Sequence, residues 1–370
     1  MSDAPRVPAK PRPPTRDDVA RHAGVSAAVV SYVINDGPRR VAPETAARVR
    51  AAIEILKYRP NLNARALKKG STEMLGLVLP DITNPFFAEY TRALETAAAA
   101  HGYVLVVATS DGKEAQERRI VSDLANRHVD GLIIATVLPP SGFRAVALPG
   151  RPTVLINCST PFAGYAALGP ASQEGARALV DHLITLHGHQ SVALIMGESS
   201  EPVPEPRERG WSDAFQAHDL PPGPIVRTSF SRRGGYEAAV RLLSWATRPS
   251  AIFTSSDQLS SGALKAIREA ELRCPDDIAV VSFDGTSESE YCWPPLTVAR
   301  QPIQTMAEAA ISAVLNLGPA AEYQRFDTEI VIRESCGCSG RQPGQGPQVV
   351  EFDRGSTPVS KTVAEAKAPQ

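Results

Sequence analysis

Eight short apolar runs constrain this chain more than any other feature. Four come early, "MLGLVLP" (74–80), "YVLVVAT" (103–109), "VDGLIIAT" (129–136) and "PTVLINC" (152–158). Four follow, "SVALIMG" (191–197), "PIVRTSF" (224–230), "SAIFTSS" (250–256) and "DIAVVSFDG" (277–285). A strand with one wet face alternates apolar and polar residues, whereas these runs need cover on both faces. Helix-length segments separate them, so the arrangement that satisfies all eight is parallel sheet built from β-α units. Two sets of four predict two similar subdomains with a cleft between them. Ligands of such sheets sit beyond the carboxyl ends of the strands, which directs attention to the residues just after each run. In "DITNPFFAEYTRALETAAAAHGY", Asn84 can cap a helix, Pro85 suits its first position and Gly102 falls just past its end. Asp81 through Phe87 then lie at a strand-to-helix turn facing the cleft.

The start of the chain is of another kind. Residues 1–70 carry 14 Lys and Arg against 6 Asp and Glu, while the rest carries 25 against 34. A basic head on an acidic body is the distribution expected where a polyanion binds at the head alone, although a solvated charged arm has the same composition. In "DVARHAGVSAAVVSYVIND" (18–36), Val19, Ala20 and Ala23 can pack a first helix against a second. Gly24 supplies the turn and Ser26 a cap. Val30, Val33 and Ile34 then share the inward stripe, and Ala27, Ala28, Ser31, Tyr32 and Asn35 face outward. "APETAARVRAAIEILKY" (42–58) provides a third helix. Three short helices with this turn make a helix-turn-helix module over residues 15–60, whose second helix enters the major groove. Residues 1–14, rich in proline, are expected to be a disordered arm and residues 339–370 a disordered tail. No apolar stretch approaches the roughly 20 residues of a membrane span, and the polar start lacks a signal-peptide core. Five cysteines in this length do not make a disulfide framework, so the expected compartment is the cytoplasm.

"TRDDVARHAGVSAAVVSYVIND" followed by "VAPETAARVRAAIEILKYRPNLNARAL" resembles the DNA-binding head of LacI/GalR-family transcriptional regulators. The likeness continues through "LGLVLPDITNPFFAEY", "VDGLII", "HLITLHGHQSVALIMG", "RERGWSDAF", "SSDQLSSGALKAIREAELRCPDDIAVVSFDG" and "PPLTVARQPI", covering residues 15–338. It implies a helix-turn-helix head, a hinge helix or linker at 61–72, and a periplasmic-binding-protein-like body at 73–338. The body is expected to divide as about 73–162 with 295–325, and 163–294 with 326–338. The resemblance also implies a homodimer on near-palindromic operator DNA, with repression as the expected activity, and a small-molecule effector whose sign is not readable. By the same likeness Ala27, Ala28 and Tyr32 are the base-reading positions, with Ser31 and Asn35 near the backbone. Many members carry threonine where this chain has Val29 and arginine where it has Tyr32. Tyr32 thus lacks the forked donor suited to guanine and offers one hydroxyl and an apolar ring. Thr15, Arg16, Arg21, Arg39, Arg40 and Lys57 are candidates for phosphate contacts. In "NLNARALKKG" (61–70), Leu67 matches the residue that the family's hinge helix wedges into the minor groove, with Ala64 small enough for close approach and Lys68 beside the phosphates. An ordinary packing contact is the alternative for Leu67.

Nothing in the body reads as an active site. No GxGxxG follows a strand and no GxxxxGK[ST] phosphate loop is present, so neither an enzyme nor a cofactor is expected. His182, His187 and His189 invite a metal reading, but His187-Gly188-His189 sits in a turn and reads as a helix cap. Cys336-Gly337-Cys338 is a lone pair with no second pair, so no metal is expected there. The resemblance places the effector in the cleft, with Phe86, Phe87 and Phe230 as aromatic walls. Arg207 is expected to fork onto the ligand and Asp284 to accept its hydroxyl or amine protons. Asp81, Asp257 and Gln301 lie at further strand ends, and Asn157 stands where many members carry aspartate. For each polar residue an internal hydrogen bond is the alternative. Carboxylates around Arg207 in "GESSEPVPEPRER" (197–209) disfavour a strongly anionic ligand, which leaves a neutral sugar or nucleoside as the expected class.

Overall fold

The computed structural model describes residues 12–34, 40–60, 66, 69–138, 143, 151–198, 204–316 and 322–338, in two compact units that meet at the Glu73–Met74 bond. The first unit holds α1 (Arg16–Ala23), α2 (Ala27–Ile34) and α3 (Pro43–Leu56). Thr15 caps α1 reciprocally: its hydroxyl accepts from the Asp18 N–H at 3.4 Å, and the Asp18 carboxylate accepts from the Thr15 N–H at 2.9 Å. Bonds from Thr15, joined by the charges of Arg12 and Arg21, hold the Asp18 carboxyl down at about 2. Gly24, at φ 63°, ends α1 in the left-handed region and turns the chain into α2. The core is Val19, Ala20, Ala23, Val30, Val49 and Ala52, with Val33 and Ile34 packed at its edge, as the apolar spacing predicts.

The second unit runs β1 (Met74–Leu79), α4 (Pro85–Ala100), β2 (Val104–Thr109), α5 (Glu114–Asn126), β3 (Gly131–Ile134), β4 (Thr153–Leu155) and β5 (Ala166–Pro170). It continues with α6 (Ser172–His187), β6 (Val192–Gly197), α7 (Pro206–Ala217), β7 (Ile225–Thr228), α8 (Arg232–Leu243), β8 (Ala251–Thr254) and α9 (Asp257–Glu269). It closes with β9 (Ala279–Asp284), α10 (Glu288–Tyr291), β10 (Thr297–Arg300), α11 (Ile303–Leu315), β11 (Tyr323–Phe326), β12 (Glu329–Val331) and a 3-10 turn (Glu334–Cys336). Asn84 accepts from the Phe86 N–H at 3.0 Å and Pro85 opens α4, as expected.

These strands form two six-stranded sheets, ordered β11-β5-β4-β3-β1-β2 and β12-β10-β9-β8-β6-β7. Every pairing is parallel except β10 with β12. Both sheets share one inner order, in which the second strand to form lies outside the first. The strand order therefore reverses beside β1 in one sheet and beside β6 in the other, and ligand crevices open at the carboxyl ends of such places. Helices α4 and α11 cover one face of the first sheet. On the second sheet α6 and α7 cover one face, and α8 and α9 the other.

All eight apolar runs form strands, but β5, β10, β11 and β12 come from segments without such a run. The subdomain boundaries move accordingly. β5 belongs to the first sheet, although residues 163–294 are expected in the second subdomain. β10 belongs to the second sheet, although residues 295–325 are expected in the first. The chain thus crosses between subdomains after β5, after β10 and after β11. The strands concerned are short and neither alternate nor run apolar for long, so periodicity could not mark them.

Candidate functional site

On the head, the outward face of α2 is as plain in space as in sequence. Ala28 is exposed, and Ser31 and Tyr32 are half-buried. Ala27 is also half-buried and leans on the head core, so it is less outward than its spacing predicts. Arg16, Arg21, Arg40 and Lys57 are exposed. The Thr15 hydroxyl donates to Asp18 at 2.7 Å and so is engaged in the cap. Asn35, Arg39, Ala64, Leu67 and Lys68 lie outside the described residues.

In the body, most of the named effector residues gather at the carboxyl ends of the second sheet. Arg207 lies in the first turn of α7. Its Nε donates to the two oxygens of Glu205, the helix's N-cap, at 3.0 and 3.2 Å, and its Nη1 donates to the Ser255 carbonyl at 2.6 Å. The guanidinium stands 5.3 Å from the Phe283 ring centre and 6.0 Å from that of Phe230. Burial works against this charge, and Glu205 and Asp284 more than restore it. Asp284 ends β9 with φ at 106°, a conformation few non-glycine residues adopt, and is 4% exposed. It accepts from Gln301 Nε2 at 2.7 Å. Burial and then the charge of Asp257 push its carboxyl well up, against the pull of Arg207.

Two polar atoms of this cluster, Gln301 Oε1 and Ser255 Oγ, are buried with no hydrogen-bond partner among the described residues. Such atoms are rare in protein interiors. One is an acceptor and the other a hydroxyl that can do either, so a hydroxylated ligand has the chemistry to complete both. Asp257 differs, being fully engaged inside the protein. It accepts from Ser282 Oγ at 2.6 Å, from the Thr286 N–H at 2.7 Å and from Thr286 Oγ1 at 2.7 Å, bracing the turn that follows Asp284.

The remaining named residues, Asp81, Phe86, Phe87 and Asn157, belong to the first subdomain. Asp81 accepts from the Thr83 N–H and hydroxyl through one oxygen, at 2.8 and 2.7 Å. Phe86 and Phe87 meet edge to face at 5.2 Å and both belong to the core of the first subdomain. Asn157, half-buried after β4, sits at φ 57°. Phe230 is 39% exposed and lies over Gly197, where a Cβ would stand 2.5 Å from its ring. Glu89 of α4 ties the subdomains together, accepting from the Ser287 N–H at 2.8 Å and its hydroxyl at 2.6 Å. Glu205, Ser255, Phe283 and Thr286 join the site without having been named from sequence. Glu205 was visible as an acid beside Arg207. Ser255 meets Arg207 through its main chain and Phe283 is hidden inside an apolar run, so neither carries a signal.

Residues 15–61 match the bacterial regulatory proteins of the lacI family, and residues 180–336 match a periplasmic binding protein-like domain. Over 326 residues the chain is 33% identical to the ribose operon repressor of Escherichia coli (strain K12), a span of 86% of this chain and 98% of that one. The chain belongs to the lacI family. Among solved structures, this lacI-family protein is similar to the lac repressor dimer bound to operator and the anti-inducer ONPF, with 27% identity, a TM-score of 0.79, and coverage of 88% of this chain and 99% of that chain. It is also similar to a LacI family transcriptional regulator from Enterococcus faecium with bound ribose, with 28% identity, a TM-score of 0.62, and coverage of 71% and 98%. This lacI-family chain is a DNA-binding transcriptional regulator controlled by a small molecule. Among the described residues no helix is long and apolar enough to cross a membrane.

Proposed function

We propose that this protein is a cytoplasmic repressor without enzymatic activity. It binds near-palindromic operator DNA as a homodimer and responds to a neutral polyhydroxylated effector, a sugar or the sugar of a nucleoside. The carrying observation is the cluster around Arg207, whose charge already faces Glu205 and Asp284, beside two buried polar atoms that lack partners among the described residues. An anionic ligand would meet those carboxylates, whereas a polyol supplies both donors and acceptors. In this reading the remaining guanidinium hydrogens of Arg207 fork onto ligand oxygens, Asp284 accepts, and Gln301 and Asn157 pair with further hydroxyls. Phe230, Phe86 and Phe87 flank the apolar face of the sugar, and Asp81 closes the first side. Asp257 positions the Asp284 turn. The relatives support the class, since one is a ribose operon repressor and another holds ribose.

On the head, Ala27, Ala28 and Tyr32 face base edges, with Ser31 and Asn35 near the DNA backbone. Arg16, Arg39 and Arg40 meet phosphates, while Thr15 holds the cap of α1; Leu67 wedges the central step, with Ala64 allowing close approach and Lys68 beside the phosphates. Two measurements test the whole. In titration calorimetry against neutral pentoses, hexoses and nucleosides and their phosphate esters, a neutral member binds and its ester binds at least tenfold more weakly; tighter binding of the ester refutes the effector class. Selection from random duplexes should recover a palindrome whose central step depends on Leu67, tested with Leu67→Ala. Sequence-blind recovery with and without effector refutes operator recognition by the head.

A further inference from the structure

A second cluster lies outside the effector site. His182 stands within α6 and His187 ends it, while Cys336 ends the 3-10 turn and Cys338 follows it. One donor atom from each of the four side chains falls within 4.8 Å of all the others. His182 Nε2 is 3.3 Å from Cys336 Sγ and 3.6 Å from Cys338 Sγ, and His187 Nε2 is 3.4 Å from Cys338 Sγ. With Zn–S near 2.3 Å and Zn–N near 2.05 Å, tetrahedral geometry puts a nitrogen and a sulfur about 3.5 Å apart. The three separations bracket that value. We propose that His182, His187, Cys336 and Cys338 form a tetrahedral zinc site that pins the end of α6 to the segment closing the effector domain.

The local structure is prepared for this role. His182 and His187 are separated by four residues, within the H-x3–5-H spacing of zinc sites. The cysteines are closer than the usual C-x2–4-C, and Gly337 is what permits it. Its φ is 105°, a conformation that favours glycine, and a Cβ there would crowd His187 Nδ1 at 3.1 Å, so glycine suits both the turn and the ring's approach. Ser335 fixes the turn from below: fully buried, it accepts from the Thr297 N–H at 2.8 Å and donates to the Val280 carbonyl at 2.6 Å. Cys336 and His182 are almost completely buried, the former in an apolar core cluster.

Charge balance favours zinc at such a place. Two thiols each release a proton, two imidazoles stay neutral, and the divalent cation cancels both thiolates, so the buried assembly is neutral. Two sulfurs and two nitrogens at tetrahedral spacing select zinc over the oxygen-seeking cations. All four positions are filled by protein, the mark of a structural ion. Half-buried Cys338 leaves an entry path. Location points the same way. α6 ends five residues before β6 begins, so the cluster sits at the amino ends of the second sheet, opposite the ends that carry Arg207 and Asp284.

The test uses the full chain, purified in reductant without chelator. The expected result is one zinc per chain by elemental analysis. Cobalt exchanged for it should show intense tetrahedral bands and thiolate charge-transfer absorption. Cys338→Ser and His187→Gln, both at half-buried positions, should each weaken zinc by more than the roughly 10–100-fold that loss of a supporting hydrogen bond costs. Cys292→Ser should leave it unchanged. A chelator should lower the thermal midpoint of the wild type and not that of the variants. Pale octahedral cobalt, zinc retained by the Cys338→Ser/His187→Gln double variant, or oxidised thiols that take up no metal after reduction would each overturn the site. The cobalt spectrum is read on the wild type, so misfolding of a variant cannot rescue the proposal.

Discussion

Arg207 shows how one side chain is made useful by its neighbours. Glu205 and the Ser255 carbonyl orient it, and two aromatic rings flank it. Arg207→Gln should weaken effector binding about 10- to 100-fold, the worth of a charge-assisted hydrogen bond of about 1.5–3 kcal/mol, while operator binding without effector persists. Calorimetry alongside a DNA titration separates the two. Asp257 allows a pH test. Burial, opposed by bonds from Ser282 and Thr286, raises its carboxyl to about 6. The unfolded chain releases that proton near pH 4, so over this interval the folded protein holds one more proton than the unfolded chain. On this group's account stability is greatest below about pH 4 and declines as pH rises through about 6. Asp257→Asn removes the decline, so its stability relative to wild type should climb between those values in a series of urea titrations; the opposite trend would refute the assignment. The surroundings of Asp257 were not legible in sequence, because its partners stand 25 and 29 positions away.

Among the elements, α8 and α9 pack with their backbones close together, and glycine is the reason. A Cβ on Gly262 would stand 2.0 Å from the Arg232 carbonyl oxygen, and one on Gly235 would stand 2.1 Å from that of Leu259. These are main-chain atoms, so no rotamer change relieves the clash. Gly262→Ala should therefore cost at least the roughly 1–3 kcal/mol of an overpacked core, despite alanine's better helix propensity. A calorimetric melt should show the midpoint several degrees lower, and an unchanged midpoint would refute the packing argument. The same scale explains what could be read of the fold. The eight apolar runs and the Asn84-Pro85 helix start announce themselves, because an apolar strand and a capped helix write local patterns, although the edge strands β2 and β7 lack the expected cover on both faces. β5, β10, β11 and β12 do not, since each is stabilised chiefly by the neighbour it pairs with.

For the whole molecule, a basic head and an acidic body confine attraction for DNA to one end. Operator affinity should fall steeply with salt, by about 10^3–10^5 between 50 and 200 mM if the dimer makes some 6–10 phosphate contacts. Whatever factor the effector applies to operator affinity, the operator must apply to effector affinity, and paired titrations that disagree would mean the two ligands do not share one equilibrium. The sequence alone determined the three-helix head, the two-sheet body and the strand ends that carry the proposed effector residues, because burial period, capping and charge are properties of short segments. Tertiary structure alone decided which strands complete each sheet, that the Ser255 carbonyl meets Arg207, and that Asp257 faces inward. It also decided that two histidines of α6 meet two cysteines some 150 residues later. Those outcomes depend on distances between segments far apart in the chain, and only packing, which brings such segments within a few ångströms, sets them.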